Sequence, residues 1–402
     1  MSIAHKIEIK PNKEQITLLN KACGCSRFAY NWGLAKWQEM YLAWKGNNQL
    51  PRPNDKLIKK EFNKIKEEKF PWIYESPKDA NQQAFANLGK AFKRFFKKTS
   101  KYPKKKKKKT QESFYVSNDQ FKVKGKVLTL PLIGKVKMTE ELRFEGKILN
   151  AVVSKQAGKW FISICIDKEI KKEPKFKNKV VGIDLGLNSF AALSTENGEE
   201  LVKAPKPYKA WERKIKRANR LVSRKVKGSN NRKKAVMKLG KVHYKVSCKR
   251  KDFLHKLSTR ICCENQVICL ENLKVQNMMK NHKLAKSIAD VGWSEFRQQI
   301  EYKAKFYGCE VVIADQWFAS SKTCSNCGSK NQDLKLSDRT YNCSICDLNL
   351  DRDINAARNL VRVGWATTEL TPSGHACLWS GDCIAGLSIV DEVGNHKFIL
   401  EI

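Results

Sequence analysis

The sequence predicts a multidomain chain of α/β and α+β class: a mixed-sheet core with two insertions, preceded by a small antiparallel β-barrel that holds an inserted helical unit. Three observations predict it. Residues 179–363 carry the order β-β-β-α-β-α-β-α. Residues 112–168 are a series of short β-rich runs. Residues 12–98 switch to helical spacing with capping signatures. A length of 402 residues fits two or three domains.

In chain order, residues 5–10 alternate as a short strand that Pro11 ends. Asn12 and Gln15 form a capping pair for a helix reaching about Trp44. Pro51 and Pro53 separate it from a second helix over about 54–68. Ser76, Pro77 and Asp79 read as cap, first-turn proline and first-turn acid of a third helix. Its Phe85, Leu88, Phe92 and Phe95 share one core-facing stripe. Lys104 to Lys109 is an unbroken run, expected to be solvated and mobile, with phosphate contact as its functional use. Runs at 114–116, 121–130, 148–154 and 160–167 build the barrel, which strand 5–10 joins.

A polar linker, 171–179, leads to strands over 179–186, 189–195 and 200–203. Asn197-Gly198 is a hairpin signal, so the three form an antiparallel meander. Residues 205–260 are helical and very basic, and the Gly228-Ser-Asn-Asn break makes them a helical hairpin. Strand 266–270, helix 294–307, strand 309–314 and helix 351–363 complete the core. The segment from about 365 has no clear period.

Charge narrows the partner. There are 79 Lys and Arg against 40 Asp and Glu, a formal +39, which repels itself unless a polyanion neutralises it. No apolar run reaches the roughly 18–20 residues of a spanning helix, and no signal peptide opens the chain, so nucleic acid is favoured over membrane. A ribosomal-type RNA-binding protein fits the charge equally well. With no secretory signal, the 14 cysteines are expected in a reduced, cytoplasmic setting, where C-x-x-C pairs read as metal sites.

Two such pairs occur: Cys324 with Cys327 and Cys343 with Cys346, fifteen residues apart. Each pair is a knuckle presenting two thiolates to one tetrahedral ion, with a hairpin between. Four sulfur ligands leave no open position, so zinc here would be structural. No H-E-x-x-H spacing supports a catalytic zinc.

Hydrolysis of a phosphodiester by two magnesium ions needs carboxylates converging from different elements. Asp184 lies in the first meander strand, Glu271 ends strand 266–270, and Asp353 opens the final helix. Each alone reads equally well as a turn, a solvated strand end or a helix cap. Their joint order is that of an RNase H-like sheet. Gly186 is expected to let a phosphate backbone approach.

At these residues the chain resembles the transposon-encoded RNA-guided nucleases called TnpB, relatives of the type V CRISPR effectors. The matching stretches are GIDLGLNSFAALST, ICLENLKV, GWSEFRQQIEYKAKFYGCEVV, SSKTCSNCG and LDRDINAARNL, with the basic segment 227–258 and the N-terminal KPNKEQITLLNKACGCSRFAYNWGL. The resemblance spans about residues 5–363. It implies a RuvC-like nuclease directed by a guide RNA to double-stranded DNA, with Asp184, Glu271 and Asp353 as catalytic acids holding Mg2+, and Cys324, Cys327, Cys343 and Cys346 holding Zn2+. Asp353 is preferred to Asp351 because it directly precedes the Ile-Asn-Ala-Ala step.

The implied domains are a β-barrel or wedge (1–11 and 100–170), a helical recognition domain (12–99), a RuvC-like nuclease (171–316 and 351–364), a zinc ribbon (317–350) and a flexible tail (365–402). The basic hairpin 208–260 is expected along the RNA–DNA heteroduplex, and the protein is expected at the nucleoid of a prokaryote. The lysine run is longer than the family leads one to expect, and the tail is not a strong match. Three other readings compete: a nuclease-dead RNA-guided repressor, a transposase with the same acids, and a plain RNA-binding module with a zinc ribbon. The last leaves the carboxylates unexplained.

Overall fold

The computed structural model describes residues 2–108, 112–168, 176–315, 317–335 and 337–367. The chain folds as two compact units that divide between residues 169 and 170.

The first unit contains β1 (Ser2–Lys10), three helices, α1 (Lys13–Gly46), α2 (Asp55–Lys69) and α3 (Lys78–Phe96), and then β2 (Glu112–Ser117), β3 (Lys122–Lys124), β4 (Val127–Leu130), β5 (Gly134–Met138), β6 (Lys147–Gln156) and β7 (Lys159–Asp167). The strands form one antiparallel sheet in the order β2-β6-β7-β1-β5-β4-β3. Strand β1 sits in its middle, paired to β7 and β5. Among the described residues, β2 and β3 end the ladder as its two edges. Strand β5 was not expected, because alternating lysines hide its two buried positions, Val136 and Met138.

The Asn12–Gln15 capping box forms as expected: Gln15 N–H donates to Asn12 Oδ1 at 2.8 Å and Asn12 N–H to Gln15 Oε1 at 3.0 Å. The stripe Phe85, Leu88 and Phe92 is buried against Phe62 and Trp37, with Phe95 partly covered. The start of α3 departs from expectation. Pro77, not Ser76, is the capping residue, and it makes no side-chain bond. Ser76 Oγ instead accepts from the Cys25 thiol at 3.2 Å. Asp79 turns away from its own helix and accepts from the Ser117 N–H at 2.8 Å and hydroxyl at 2.6 Å, tying α3 to β2.

The lysine run is exposed as expected at Lys104, Lys105, Lys107 and Lys108, but Lys106 departs from it. The main-chain N–H and C=O of Lys106 both pair with the side-chain amide of Asn31, at 2.7 and 3.0 Å. Its ammonium lies 4.3 Å from the Tyr30 ring centre, and burial pushes its pKa down. The segment is stapled to α1 while Lys104, Lys105, Lys107 and Lys108 stay exposed. Lys109 lies outside the described residues.

The second unit opens with β8 (Asn178–Leu185), β9 (Ser189–Thr195) and β10 (Gly198–Lys203). The basic hairpin follows as α4 (Pro207–Ser223) and α5 (Asn230–Glu264), which runs directly into β11 (Asn265–Glu271). Gly228 takes φ +91 at the break, and Ser229 caps α5 through the Arg232 N–H at 3.1 Å. Two short helices, α6 (Val275–Met278) and α7 (Ala285–Val291), precede α8 (Trp293–Tyr307) and β12 (Glu310–Ala314); neither short helix has enough turns to show a period in the sequence. A small hairpin, β13 (Thr340–Asn342) with β14 (Asn349–Asp351), leads into α9 (Arg352–Thr367). That helix passes residue 365, and Trp365 packs beside Val180 and Leu360, so the expected tail begins later; residues 368–402 lie outside the described residues. No described helix is long and apolar enough to cross a membrane.

The sheet order is β10-β9-β8-β11-β12: an antiparallel meander, then two strands parallel to β8. Alternation along the strands sorts the two faces. Val181, Ile183, Ile268 and Leu270 pack with Leu254 and Ile261 of α5 and Phe296 and Ile300 of α8. Val180, Val267, Cys269 and Val312 face Leu360 and Val363 of α9. Gly182 allows this helix to lie close. A Cβ there would fall 2.1 Å from the Ala357 carbonyl oxygen and 2.6 Å from the Val361 nitrogen.

Candidate active site and thiol cluster

The face that α9 covers is the one that carries the acids. Ile183 pairs with Leu270 in the parallel ladder, so the next residues, Asp184 and Glu271, stand side by side at the ends of β8 and β11. Ala192 lies opposite Asp184 and Ala314 opposite Glu271. Asp353, in the first turn of α9, is near enough for its charge to act on both.

Burial raises the Asp184 pKa well above the usual carboxylate range, and the Glu271 and Asp353 charges push it the same way. Burial also raises Glu271, against the stabilising hydrogen bond of Ser320 and with a further push from Asp353. Two neighbouring buried carboxylates with raised pKa, and a third acid acting on both, form a setting in which a cation would stabilise the ionised forms. The set is all oxygen, the chemistry that suits magnesium.

Asp351 and Asp353 divide their work. Asp351 Oδ1 accepts from the Asp353 N–H at 2.9 Å and the Ile354 N–H at 3.2 Å, capping α9. Asp353 is thereby free of capping, and its Oδ1 has the Arg352 guanidinium at 3.4 Å. At Gly186 an added Cβ would meet the Ser189 carbonyl at 3.0 Å and Asp353 Oδ2 at 3.6 Å. A groove of about 500 Å³ borders Glu271 on the side of Leu185, Lys274, Trp293 and Arg297.

Three residues around the site were not singled out in the sequence. Ser320, 3% exposed, donates its hydroxyl to Glu271 Oε1. Asn355 and Asn359 of α9 are buried and bond the backbone that enters the thiol cluster. The available signals were the Ser-Ser-Lys-Thr step before Cys324 and the i, i+4 spacing of the two asparagines.

The four cysteines do converge. All their sulfurs lie within 4.8 Å of one another, the only such group of Cys, His, Asp or Glu among the described residues. Cys324 and Cys346 are 3.7 Å apart and Cys327 and Cys343 3.5 Å. A tetrahedral ion with bonds of about 2.3 Å to sulfur sets its ligands about 3.8 Å apart, so the thiols fit one closed ion. Each knuckle closes through a residue in the left-handed region: Gly328 at φ +80 and Asp347 at φ +54. The Asn326 N–H points at Cys324 Sγ, 3.4 Å away. The Ser329 hydroxyl and the Ile345 backbone pull the Cys343 thiol down to about 6, toward the thiolate a metal requires.

Basic surface lies on α4 and α5. The Trp211 ring has the ammonium groups of Lys214, Lys249 and Lys245 at 4.4, 5.6 and 5.9 Å from its centre.

Comparison with known proteins covers both units. Residues 163–282 match the OrfB_IS605 model, described as a probable transposase, and residues 293–360 match the Cas12f1-like TNB domain. Residues 1–45 match a helix-turn-helix domain of the OrfB_IS605 group, although here they form a strand and one unbroken helix. A Streptomyces pristinaespiralis protein provisionally named an RNA-guided DNA endonuclease is 38% identical over 91% of this chain and 90% of its own length. Escherichia coli (strain K12) InsQ, named in the same way, is 30% identical over 92% and 95%. Among solved structures, a Cas12f1–sgRNA–target DNA complex covers 90% of this chain and 98% of its own with a TM-score of 0.57 at 14% identity, a likeness of fold.

Proposed function

The chain belongs to the TnpB-like family of RNA-guided DNA endonucleases, and from that premise we propose that it hydrolyses DNA phosphodiester bonds at a RuvC-like site directed by a bound guide RNA. The observation that supports this reading is the side-by-side placement of Asp184 and Glu271 on the sheet face that α9 covers, both with raised pKa, with Asp353 in the first turn of that helix. Asp184, Glu271 and Asp353 would hold two Mg2+ ions. Such ions supply an activated water and charge stabilisation at the leaving oxygen.

The protein's own part is positional. Strands β8 and β11 set two acids side by side, α9 delivers the third, and Asp351 holds that helix start in place. Lys274 and Arg297 line the groove beside Glu271 and suit a phosphate backbone. Cys324, Cys327, Cys343 and Cys346 would hold a structural Zn2+. The Trp211 face of the helical hairpin suits the RNA–DNA heteroduplex. In the first unit, the sheet and helices would serve as wedge or barrel and recognition domain, and the stapled lysines as a phosphate track. Double-stranded DNA is the target, and the prokaryotic nucleoid is where it would be met.

Sequencing the RNA that copurifies with the protein supplies scaffold and guide for a reconstituted assay. Wild type should cut the matching DNA only with Mg2+, and Asp184→Ala should bind the target without cutting. Cutting undiminished in Asp184→Ala refutes the assignment. Binding without any cutting by wild type would instead favour an RNA-guided repressor, and joined strand-transfer products a transposase.

A further inference from the structure

The route from the thiol cluster to the acids is continuous in hydrogen bonds. Asn355 Oδ1 accepts from the Ser325 N–H at 2.8 Å, and its Nδ2 donates to the Thr323 carbonyl at 2.8 Å. Asn359 Nδ2 donates to the Ser320 carbonyl at 2.8 Å and the Thr323 carbonyl at 2.7 Å. The segment 319–323 is itself a closed turn, since the Thr323 N–H and hydroxyl both bond the Ala319 carbonyl, at 3.1 and 2.9 Å. Its Ser320 hydroxyl then reaches Glu271. The helix that carries Asp353 therefore also grips the segment that touches Glu271, and that segment continues directly into Cys324.

We infer that Ser320 is a positioning residue for Glu271, and that the Asn355–Asn359 latch makes the thiol-cluster domain a brace of the nuclease metal site. The inference rests on the three-acid reading proposed above. A glutamate at a strand end has three torsions that set its oxygens. One hydroxyl from a buried, latched turn fixes Oε1 and leaves Oε2 for a cation. Groups that orient metal ligands in this way change metal affinity by about 10- to 100-fold when removed. Asn355 uses both sides of its amide, its carbonyl taking the Ser325 N–H, and the two NH2 groups together make three contacts to two backbone oxygens. Spaced by four, the two side chains leave the same face of α9.

The test uses the full-length, zinc-loaded chain without nucleic acid, titrated with Mn2+ and read by electron paramagnetic resonance, with zinc content measured alongside. Ser320→Ala should weaken Mn2+ binding about tenfold or more with zinc content unchanged, and Ser320→Thr, which keeps a hydroxyl, should restore most of it. Asn359→Leu should weaken Mn2+ binding in the same direction although it touches no acid. In the RNA-loaded protein, Ser320→Ala should raise the Mg2+ needed for half-maximal cutting and leave target binding unchanged. Wild-type Mn2+ affinity in Ser320→Ala overturns the inference. So does equal weakness of the Ala and Thr variants, which would reduce Ser320 to packing. Glu271→Ala is the separate control: if it binds Mn2+ as wild type does, the three-acid reading itself fails.

Discussion

Replacing Gly182 with alanine adds one methyl group to the sheet face under α9, and the structure sets the size of the effect. The new Cβ would sit 2.1 Å from the Ala357 oxygen and 2.6 Å from the Val361 nitrogen. Both are helix backbone, which cannot rotate aside as a side chain would. Relief to an ordinary contact requires α9 to lift by more than about 1 Å, and overpacking of this kind destabilises by about 1–3 kcal/mol. The same lift carries Asp353 away from Asp184 and Glu271, which stay on the sheet. A misplacement of about 1 Å in a catalytic group lowers rates on the order of 100-fold. Gly182→Ala should therefore lose far more cutting than folding. The assay pairs single-turnover cleavage at saturating RNA with thermal unfolding, and compares Ala192→Gly as a change on the same face that adds no bulk. Wild-type cleavage by Gly182→Ala would show that the helix does not hold Asp353 to the sheet in the way described.

Two further outcomes follow from the same unit. Cys327→Ser should drop the zinc content from one per chain to none and make residues 317–350 the first site of proteolysis, because a closed four-sulfur site folds with its ion; full zinc content in that variant would refute the cluster. Lys303 is the second case. Its ammonium is buried and donates to the His255 carbonyl and the Ser258 and Thr259 hydroxyls, each at 2.8 Å, and burial lowers its pKa to about 8 from 10.5. The unfolded chain then holds more protons between those values, so stability should rise with pH from about 8 to 10.5, by on the order of 2–3 kcal/mol. The rise should vanish in Lys303→Met melts taken across that window; an identical slope in both proteins would remove Lys303 as its source.

Features that depend on near neighbours in the chain were legible. The Asn12–Gln15 box, the Phe85–Leu88–Phe92 stripe, the Gly228 break and the paired cysteine knuckles each close over a few residues, and all stand where the sequence placed them. What failed was local chemistry claimed by distant partners. Ser76 looks like the cap of α3, but the Cys25 thiol takes its hydroxyl oxygen. Lys106 belongs to a run that reads as solvated, but Asn31 pairs with its backbone. The placement of the acids followed from strand order and was visible. Ser320 was not, because its partner, Glu271, is 49 residues away and nothing in either neighbourhood names the other. Asn355 and Asn359 read as polar residues on an alanine-rich helix, and only the fold shows that they are buried and bonded to backbone outside it.

The turn between α4 and α5 falls between the acids, with Asp184 ahead of it and Glu271 and Asp353 behind. Gly228 at its tip has open space around it. A chain severed there would part into one piece holding a single acid and another holding two, and neither could assemble a cutting centre alone. Two such half-genes, kept in separate cells or under separate promoters, would report their meeting by the return of cutting. The silence before that meeting would be an absence of chemistry, with nothing held in check and so nothing to leak.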